Sequence, residues 1–155
     1  MSQAILNNAK LCNAAAVMVT PMLNNISKLA TIVDLNIRRL RNAAHIAIQF
    51  AQFHGLTYYS PVSGLYIWLR LAKDCDTSEE EESIVQRCAQ QGVLVGSGAD
   101  YAESQAGWFR LTFALSEQDL LSGLLRVEAA MGYKEKFKYN HRGQVISERL
   151  RRLCL

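Results

Sequence analysis

The chain has 155 residues, of which half are apolar and 20% are charged, and its formal net charge is +3. This is the composition of one ordinary globular domain, and it excludes wholesale disorder, collagen-like repeats and a coiled coil. No apolar run reaches the roughly 18–20 residues of a membrane-spanning helix. The four cysteines form no CxxC pair and no metal-binding spacing. We therefore expect a cytoplasmic protein with reduced thiols, no membrane segment and no metal site.

Two helices are predicted at the amino end. Residues 2–19 contain neither Gly nor Pro and are rich in Ala and Leu, which favours a helix that ends before Thr20-Pro21. A longer helix is predicted from Pro21 or Asn25 to His54, because apolar residues recur every three or four positions and Gly55 suits a C-cap. We expect this amphipathic helix to lie along a large surface.

Beyond residue 55 the pattern changes to short elements. Strands are predicted at 56–59, 65–69, 93–95 and 108–114, with a polar loop at 96–107. Because a helix is predicted between the second and third strands and another after the fourth, the fold class is α+β. The expected architecture is a small, mostly antiparallel sheet covered by helices and preceded by a long helix.

The two helices of this region are defined by their caps. Thr77 and Ser78 precede an acidic run, Glu79–Glu82, which predicts a helix to about Gln91 whose acidic residues complement the helix dipole and face water. Ser116 and Asp119 predict the start of a final helix that ends near residue 131, followed by Gly132.

The basic residues are concentrated at the carboxyl end. Residues 133–155 carry seven Lys and Arg against two Glu, so this segment has a net charge of +5 and the rest of the chain −2. No nucleic-acid recognition motif accompanies the charge, so nucleic acid is not the expected partner. We expect a folded domain over 1–132 and a basic tail over 133–155 with a short helix from Val145.

Three segments with compatible spacing carry a family resemblance: 63–69 (SGLYIWL), 92–97 (GVLVGS) and 107–114 (GWFRLTFA). Together with the preceding long helix, they resemble the C-terminal small domain of fold-type I pyridoxal-phosphate enzymes. The pattern is most similar to class I/II aminotransferases and their 1-aminocyclopropane-1-carboxylate synthase-like branch. The resemblance covers about residues 1–131.

The resemblance implies one binding residue. In such enzymes the arginine of the GWFR segment pairs with the substrate α-carboxylate, so Arg110 is the matching carboxylate-binding candidate; a planar guanidinium fixes both oxygens, which a Lys cannot do. The alternative is an ion pair of Arg110 with Glu103 or Asp100. Tyr66, Tyr101 and Asp100 are the candidates for acid–base catalysis, without a matched pair among them.

The resemblance also places the family's Schiff-base lysine and most of its phosphate ligands in a large domain that the sequence does not match. We therefore expect no cofactor for this chain in isolation, and pyridoxal phosphate only if a separate large-domain partner supplies it. No metal ligand set is recognised, and the three histidines are expected to be surface or packing residues.

Three functions remain open from the sequence. The chain could bind or transform a carboxylate-bearing metabolite without cofactor, or it could close the substrate pocket of a split pyridoxal-phosphate enzyme. It could also be a non-catalytic interaction module. In the third case a homo-oligomer is expected through apolar residues of the first helices: Ile5, Leu6, Val17, Met18, Met22 and Leu23.

Overall fold

A computed structural model of the chain describes residues 13–139, with side chains from residue 17 onward. These residues belong to two compact units, one ending at Arg39 and the other beginning at Leu40. Nothing in this range forms a helix long and apolar enough to cross a membrane. The predictions for Ile5, Leu6 and the tail helix from Val145 concern residues outside the described part of the chain.

The first helix, α1, spans Asn13–Asn24 and contains Pro21. The prediction of a helix end before Thr20 is therefore wrong. Inside a helix a proline removes one amide donor and its ring crowds the preceding turn, but its φ is helical, and here the helix continues through it. The break comes at Asn25, whose side-chain oxygen accepts a hydrogen bond of 3.0 Å from the Lys28 amide and so caps the next helix.

The long helix, α2, spans Ile26–Phe53, close to its predicted bounds. Gly55 has a φ of +61°, and the Leu56 amide donates to the Ala51 carbonyl at 2.8 Å, which is the Schellman arrangement expected of a glycine C-cap. In the second unit the apolar face of α2 is buried, as at Ile46 and Phe50.

The sheet has four strands: β1 (Thr57–Tyr59), β2 (Tyr66–Arg70), β3 (Gly96–Ser97) and β4 (Trp108–Thr112). Its order is β1-β2-β4-β3, and every neighbouring pair is antiparallel. The predicted α+β class with a small antiparallel sheet is confirmed. The third strand, however, lies just after the predicted 93–95, because only Gly96 and Ser97 pair with β4.

Two further helices, α3 (Ser78–Gln90) and α4 (Glu117–Met131), cover one face of the sheet. Thr77 and Glu80 form a capping box at the start of α3, and the Ser116 hydroxyl accepts from the Asp119 amide at the start of α4, as predicted. The core of the second unit joins side chains of the sheet, α3, α4 and the second part of α2; its largest members include Phe50, Ile67, Leu69, Phe109 and Val127.

The chain after α4 packs back onto the core as far as it is described. Phe137 is buried, and its amide donates to the Glu128 carboxylate at 2.7 Å. The Tyr133 hydroxyl donates to the Leu71 carbonyl at 2.9 Å. Residues 133–139, which the sequence analysis placed in the basic tail, thus contact the folded domain, while the boundary at residue 132 stays a prediction.

Candidate functional site

The face of the sheet opposite the core carries aromatic and arginine side chains. Successive residues of a strand point to opposite faces, and alternate positions of β2 and β4, such as Ile67, Leu69, Phe109 and Leu111, are buried in the core. The intervening residues therefore form the other face, together with Tyr59 of β1. We call this set the aromatic face: Tyr59, Tyr66, Trp68, Arg70, Trp108 and Arg110.

The strand register arranges the aromatic face in rows. Tyr59 is paired with Trp68, Trp68 with Arg110, and Arg110 with Gly96, so these four residues lie side by side across the sheet. The ring of Trp108 stacks on Tyr59 at 5.1 Å and on Trp68 at 6.4 Å between centroids. Arg110 therefore has a rigid aromatic neighbour on the β2 side.

The guanidinium of Arg110 lies over two tyrosine rings. Its Cζ is 4.4 Å from the centroid of Tyr66 and 4.5 Å from that of Tyr101. The ring quadrupoles attract the cation without neutralising it. None of the ion pairs within residues 13–139 includes Arg110, so the alternative pairing with Glu103 or Asp100 is not what the structure has.

Close approach of Tyr101 to Arg110 depends on Gly96. A Cβ atom at position 96 would lie 3.1 Å from Cε2 of Tyr101 and 3.4 Å from Cβ of Arg110. A larger residue would push the tyrosine ring off the guanidinium. The sequence places Gly96 both at the start of the predicted polar loop and within the 92–97 segment of the resemblance; in the structure it is a strand residue beside the site.

Two of the three predicted acid–base candidates are thus brought to Arg110, and one is not. Tyr66 and Tyr101 contact the guanidinium through their rings. Asp100 is exposed in a 3₁₀-helix, Ala99–Tyr101, and takes part in none of the ion pairs of the described range. The two tyrosine rings hold the Arg110 guanidinium between them. The catalytic roles of Tyr66, Tyr101 and Asp100 stay predictions.

A residue that the sequence analysis missed is Glu81. The acidic run was expected to face water, but Glu81 is only 2% exposed, so that expectation is wrong for this member. Its carboxylate accepts hydrogen bonds from β3 and from the loop that follows it, including one of 2.7 Å from the hydroxyl of Ser97 in β3. A signal was present: Glu81, Ile84 and Cys88 follow one another at helical spacing, and all three are buried.

A second polar cluster lies among the helices. His54 Nε2 is 2.8 Å from Glu128 Oε1, and both side chains are buried. Burial raises the pKa of the neighbouring Tyr133 to about 12. His54, Tyr133 and Cys75 line a cleft of about 690 Å³. Burial raises the pKa of the Cys75 thiol, so the thiolate is disfavoured and this cysteine is not an activated nucleophile.

No protein-family model matches the chain. Among individual proteins, the chain is 66% identical to aminotransferase verI of Clonostachys rogersoniana over 88% of this chain and 32% of verI. It is 31% identical to the probable aminotransferase gliI of Aspergillus fumigatus over 85% of this chain and 32% of gliI. A mouse protein named probable inactive 1-aminocyclopropane-1-carboxylate synthase-like protein 2 is 32% identical over 51% of this chain and 14% of its own length.

The chain is similar in sequence to about a third of these fungal aminotransferases, and because of that similarity we call it the aminotransferase-like domain. Solved structures agree in fold: aspartate aminotransferase from Thermus thermophilus with maleate superposes with a TM-score of 0.58, at 24% identity over 70% of this chain and 27% of that one. The Thermus thermophilus α-aminoadipate aminotransferase LysN, complexed with N-(5'-phosphopyridoxyl)-L-leucine, gives 0.51 at 20% identity over 61% of this chain and 25% of that one. This aminotransferase-like domain spans about a third of the length of the two fungal relatives.

The described residues around Arg110 do not fit pyridoxal phosphate by themselves. Tyr66, Tyr101, Trp68 and Trp108 supply rings, and Arg110 supplies one cation. A Schiff base needs an amine, and the pyridine nitrogen needs an acidic partner, but among residues 17–139 the cation–π contacts and ion pairs of this cluster include no lysine and no carboxylate. The described lysine beyond β2, Lys73, donates instead to the Gly55 carbonyl at 2.8 Å. These residues by themselves therefore lack the amine and the acidic partner that pyridoxal phosphate would need.

Proposed function

We propose that the aminotransferase-like domain binds a carboxylate-bearing small molecule through Arg110. The observation that carries the proposal is the guanidinium held over the rings of Tyr66 and Tyr101 and absent from every ion pair of the described range. A guanidinium has a planar fork of donors that matches a carboxylate in two parallel hydrogen bonds. The Arg110 guanidinium is thus held in position by the two rings, but no carboxylate of the described range forms an ion pair with it.

The two rings also reduce the cost of binding. An arginine loses side-chain entropy when a ligand immobilises it, by about 0.5–1.5 kcal/mol for a side chain with this many rotamers. Cation–π contacts contribute about 0.5–1 kcal/mol each at exposed sites and more when water is excluded. Because Arg110 is already held and half-buried, a ligand meets a preorganised donor fork.

The direct test is calorimetric titration with maleate and with pyruvate, for the wild-type protein and for Arg110→Ala and Arg110→Lys. We expect both substitutions to weaken binding, Arg110→Lys less than Arg110→Ala. Arg38→Ala is the matched control, because it removes the same charge from an exposed position of α2 that is ion-paired only with Asp34. Equal weak binding by wild type and Arg110→Ala would refute the proposal.

A second proposal concerns the rest of an aminotransferase. The similarity to verI extends over most of this chain but only about a third of verI. We infer that the domain can close the substrate site of a larger assembly, in which a large-domain polypeptide supplies lysine and pyridoxal phosphate. Co-purification with such a polypeptide and Schiff-base absorbance of the complex would support this; a colourless protein that binds carboxylates alone would favour the first proposal.

A third proposal is an interaction module that self-associates through its first helix. Val17, Met18 and Leu23 of α1 are 72%, 74% and 56% exposed, and Met22 is 41% exposed. Large apolar side chains exposed along one segment commonly mark an interaction surface. Light scattering should then report a homo-oligomer that Met18→Gln dissociates, whereas a monomer at high concentration would contradict the proposal.

A further inference from the structure

A buried carboxylate fastens the loop that carries Tyr101. Glu81 of α3 accepts hydrogen bonds at Oε1 from the Ser97 hydroxyl at 2.7 Å, from the Ala99 amide at 3.2 Å and from the Gly98 amide. Its Oε2 accepts from the Gly107 amide at 3.3 Å. One side chain therefore binds both ends of the stretch between β3 and β4.

These contacts account for the burial of an acidic group. A carboxylate removed from water is costly unless hydrogen bonds replace its hydration, and convergent backbone amides form such an anion-binding concavity. No ion pair within residues 13–139 includes Glu81, so the loop donors are what satisfies it. The fit is close, since a Cβ at Gly98 would lie 3.2 Å from the same Oε1 and 2.9 Å from the Trp108 carbonyl.

The fastened stretch contains one side of the Arg110 site. Tyr101 ends the 3₁₀-helix that begins at Ala99, and Ala99 is itself one of the first three donors. Gly107, the fourth donor, leads into β4 and Arg110. We propose that Glu81 is a positioning residue of the carboxylate site, which holds Tyr101 over the Arg110 guanidinium by anchoring the loop on both sides. This inference rests on the proposed carboxylate binding and adds a residue that contacts neither ligand nor Arg110.

The test compares Glu81→Gln with Glu128→Gln in the full chain. Both replace one oxygen of a buried glutamate by an amide, but Glu128 contacts His54 and Phe137 and not the loop. We expect Glu81→Gln to weaken maleate and pyruvate binding by about tenfold, by analogy with the lower end of the losses caused by removing outer-shell residues of metal sites. Glu128→Gln should leave affinity unchanged, although it also removes a buried hydrogen bond.

A second readout does not depend on ligand. In the free protein the Tyr101 ring, whose centroid lies 4.5 Å from Arg110 Cζ, should shift the NMR signal of the Arg110 Nε–H group through its ring current. We expect Tyr101→Ala and Glu81→Gln to move this signal in the same direction, and Glu128→Gln to leave it in place. In the combined variant Glu81→Gln/Tyr101→Ala, binding should be no weaker than in Tyr101→Ala alone, because the glutamate acts through the tyrosine.

The outcomes separate the two ideas. If wild type binds neither probe but Glu81→Gln still moves the Arg110 signal, carboxylate binding fails and the positioning role stands. If Glu81→Gln leaves the signal and the affinity unchanged, or if Glu128→Gln changes them equally, the positioning role is overturned. If Glu81→Gln fails to fold, Ser97→Ala is the replacement, because it removes one donor to the same carboxylate. We expect Ser97→Ala to move the Arg110 signal in the same direction by a smaller amount. An unshifted Arg110 signal in folded Ser97→Ala would overturn the positioning role of Glu81.

Discussion

Gly107→Ala and Gly123→Ala should change the free energy of unfolding in opposite directions. Gly107 has a φ of +92°, and a Cβ built there would lie 2.1 Å from the Ala72 carbonyl oxygen, a backbone atom. Gly123 lies inside α4, and a Cβ there has no neighbour within 4 Å. Adding one methyl group therefore creates a steric clash and an unfavourable φ at position 107, whereas at position 123 the methyl group fits an open site in a helix.

The magnitudes follow from these two environments. A non-glycine residue in a sparsely populated conformation costs about 1–3 kcal/mol, and forcing apart packed backbone adds about 1–3 kcal/mol. Gly107→Ala should therefore lower the free energy of unfolding by about 2–6 kcal/mol, a large part of the 5–15 kcal/mol typical of a domain. Gly123→Ala should raise it by about 0.5–1 kcal/mol, since alanine restricts the unfolded chain and favours helix.

The assay is urea unfolding of wild type and both variants, followed by far-UV circular dichroism, with midpoints compared at similar m-values. The Gly107 amide also donates to Glu81, so folded Gly107→Ala should lose carboxylate affinity as well. A Gly107→Ala midpoint equal to that of wild type would contradict the close contact with Ala72, and a fall in stability for Gly123→Ala would contradict the open helical position.

Three further predictions concern the core, the thiols and one cap. Phe50→Ala removes a ring that is 1% exposed and should cost about 3–5 kcal/mol in thermal or urea unfolding; a loss below about 1 kcal/mol would contradict its core position. Burial raises the pKa of the Cys75 and Cys88 thiols, so both should be alkylated far more slowly in the native protein than in urea, as peptide mass spectrometry would measure; equal labelling would contradict it. The backbone amides of Asp76 and Thr77 lower the pKa of Glu80 below its ordinary 4.5, so its contribution to stability is present above that value and is lost as pH falls through the lowered pKa. Glu80→Gln should flatten the acid side of the unfolding free energy against pH, and an unchanged slope would refute this assignment.

Local chemistry made several elements predictable. The caps at Gly55, Thr77, Ser116 and Gly132 follow from hydrogen bonds between residues a few positions apart, and the structure has helix boundaries at all four. The α+β class likewise follows from the alternation of periodic segments. Such features depend on neighbours in the sequence, which the sequence displays directly.

The differences arise where distant residues decide. Residues 93–95 are apolar and β-prone, but pairing with Phe109 and Arg110 selects Gly96 and Ser97 as β3. From its neighbours alone, Glu81 is expected to complement the helix dipole and face water. The groups that donate to its carboxylate lie 16 to 26 positions further along the chain, so the local sequence does not reveal them. Arg110 was found through family resemblance; that its partners are the rings of Tyr66 and Tyr101 is a tertiary fact.

The two tryptophans of the chain both belong to the aromatic face. Trp68 meets Tyr101 edge-on at 5.7 Å, and the Trp108 indole nitrogen donates to the Gln105 side chain at 3.1 Å, so each contacts the loop that Glu81 anchors. Intrinsic tryptophan fluorescence therefore reports on the loop and on the aromatic face of the sheet without an added probe. Loosening of the loop would change this emission while the helices remain intact, and the two signals would separate during unfolding.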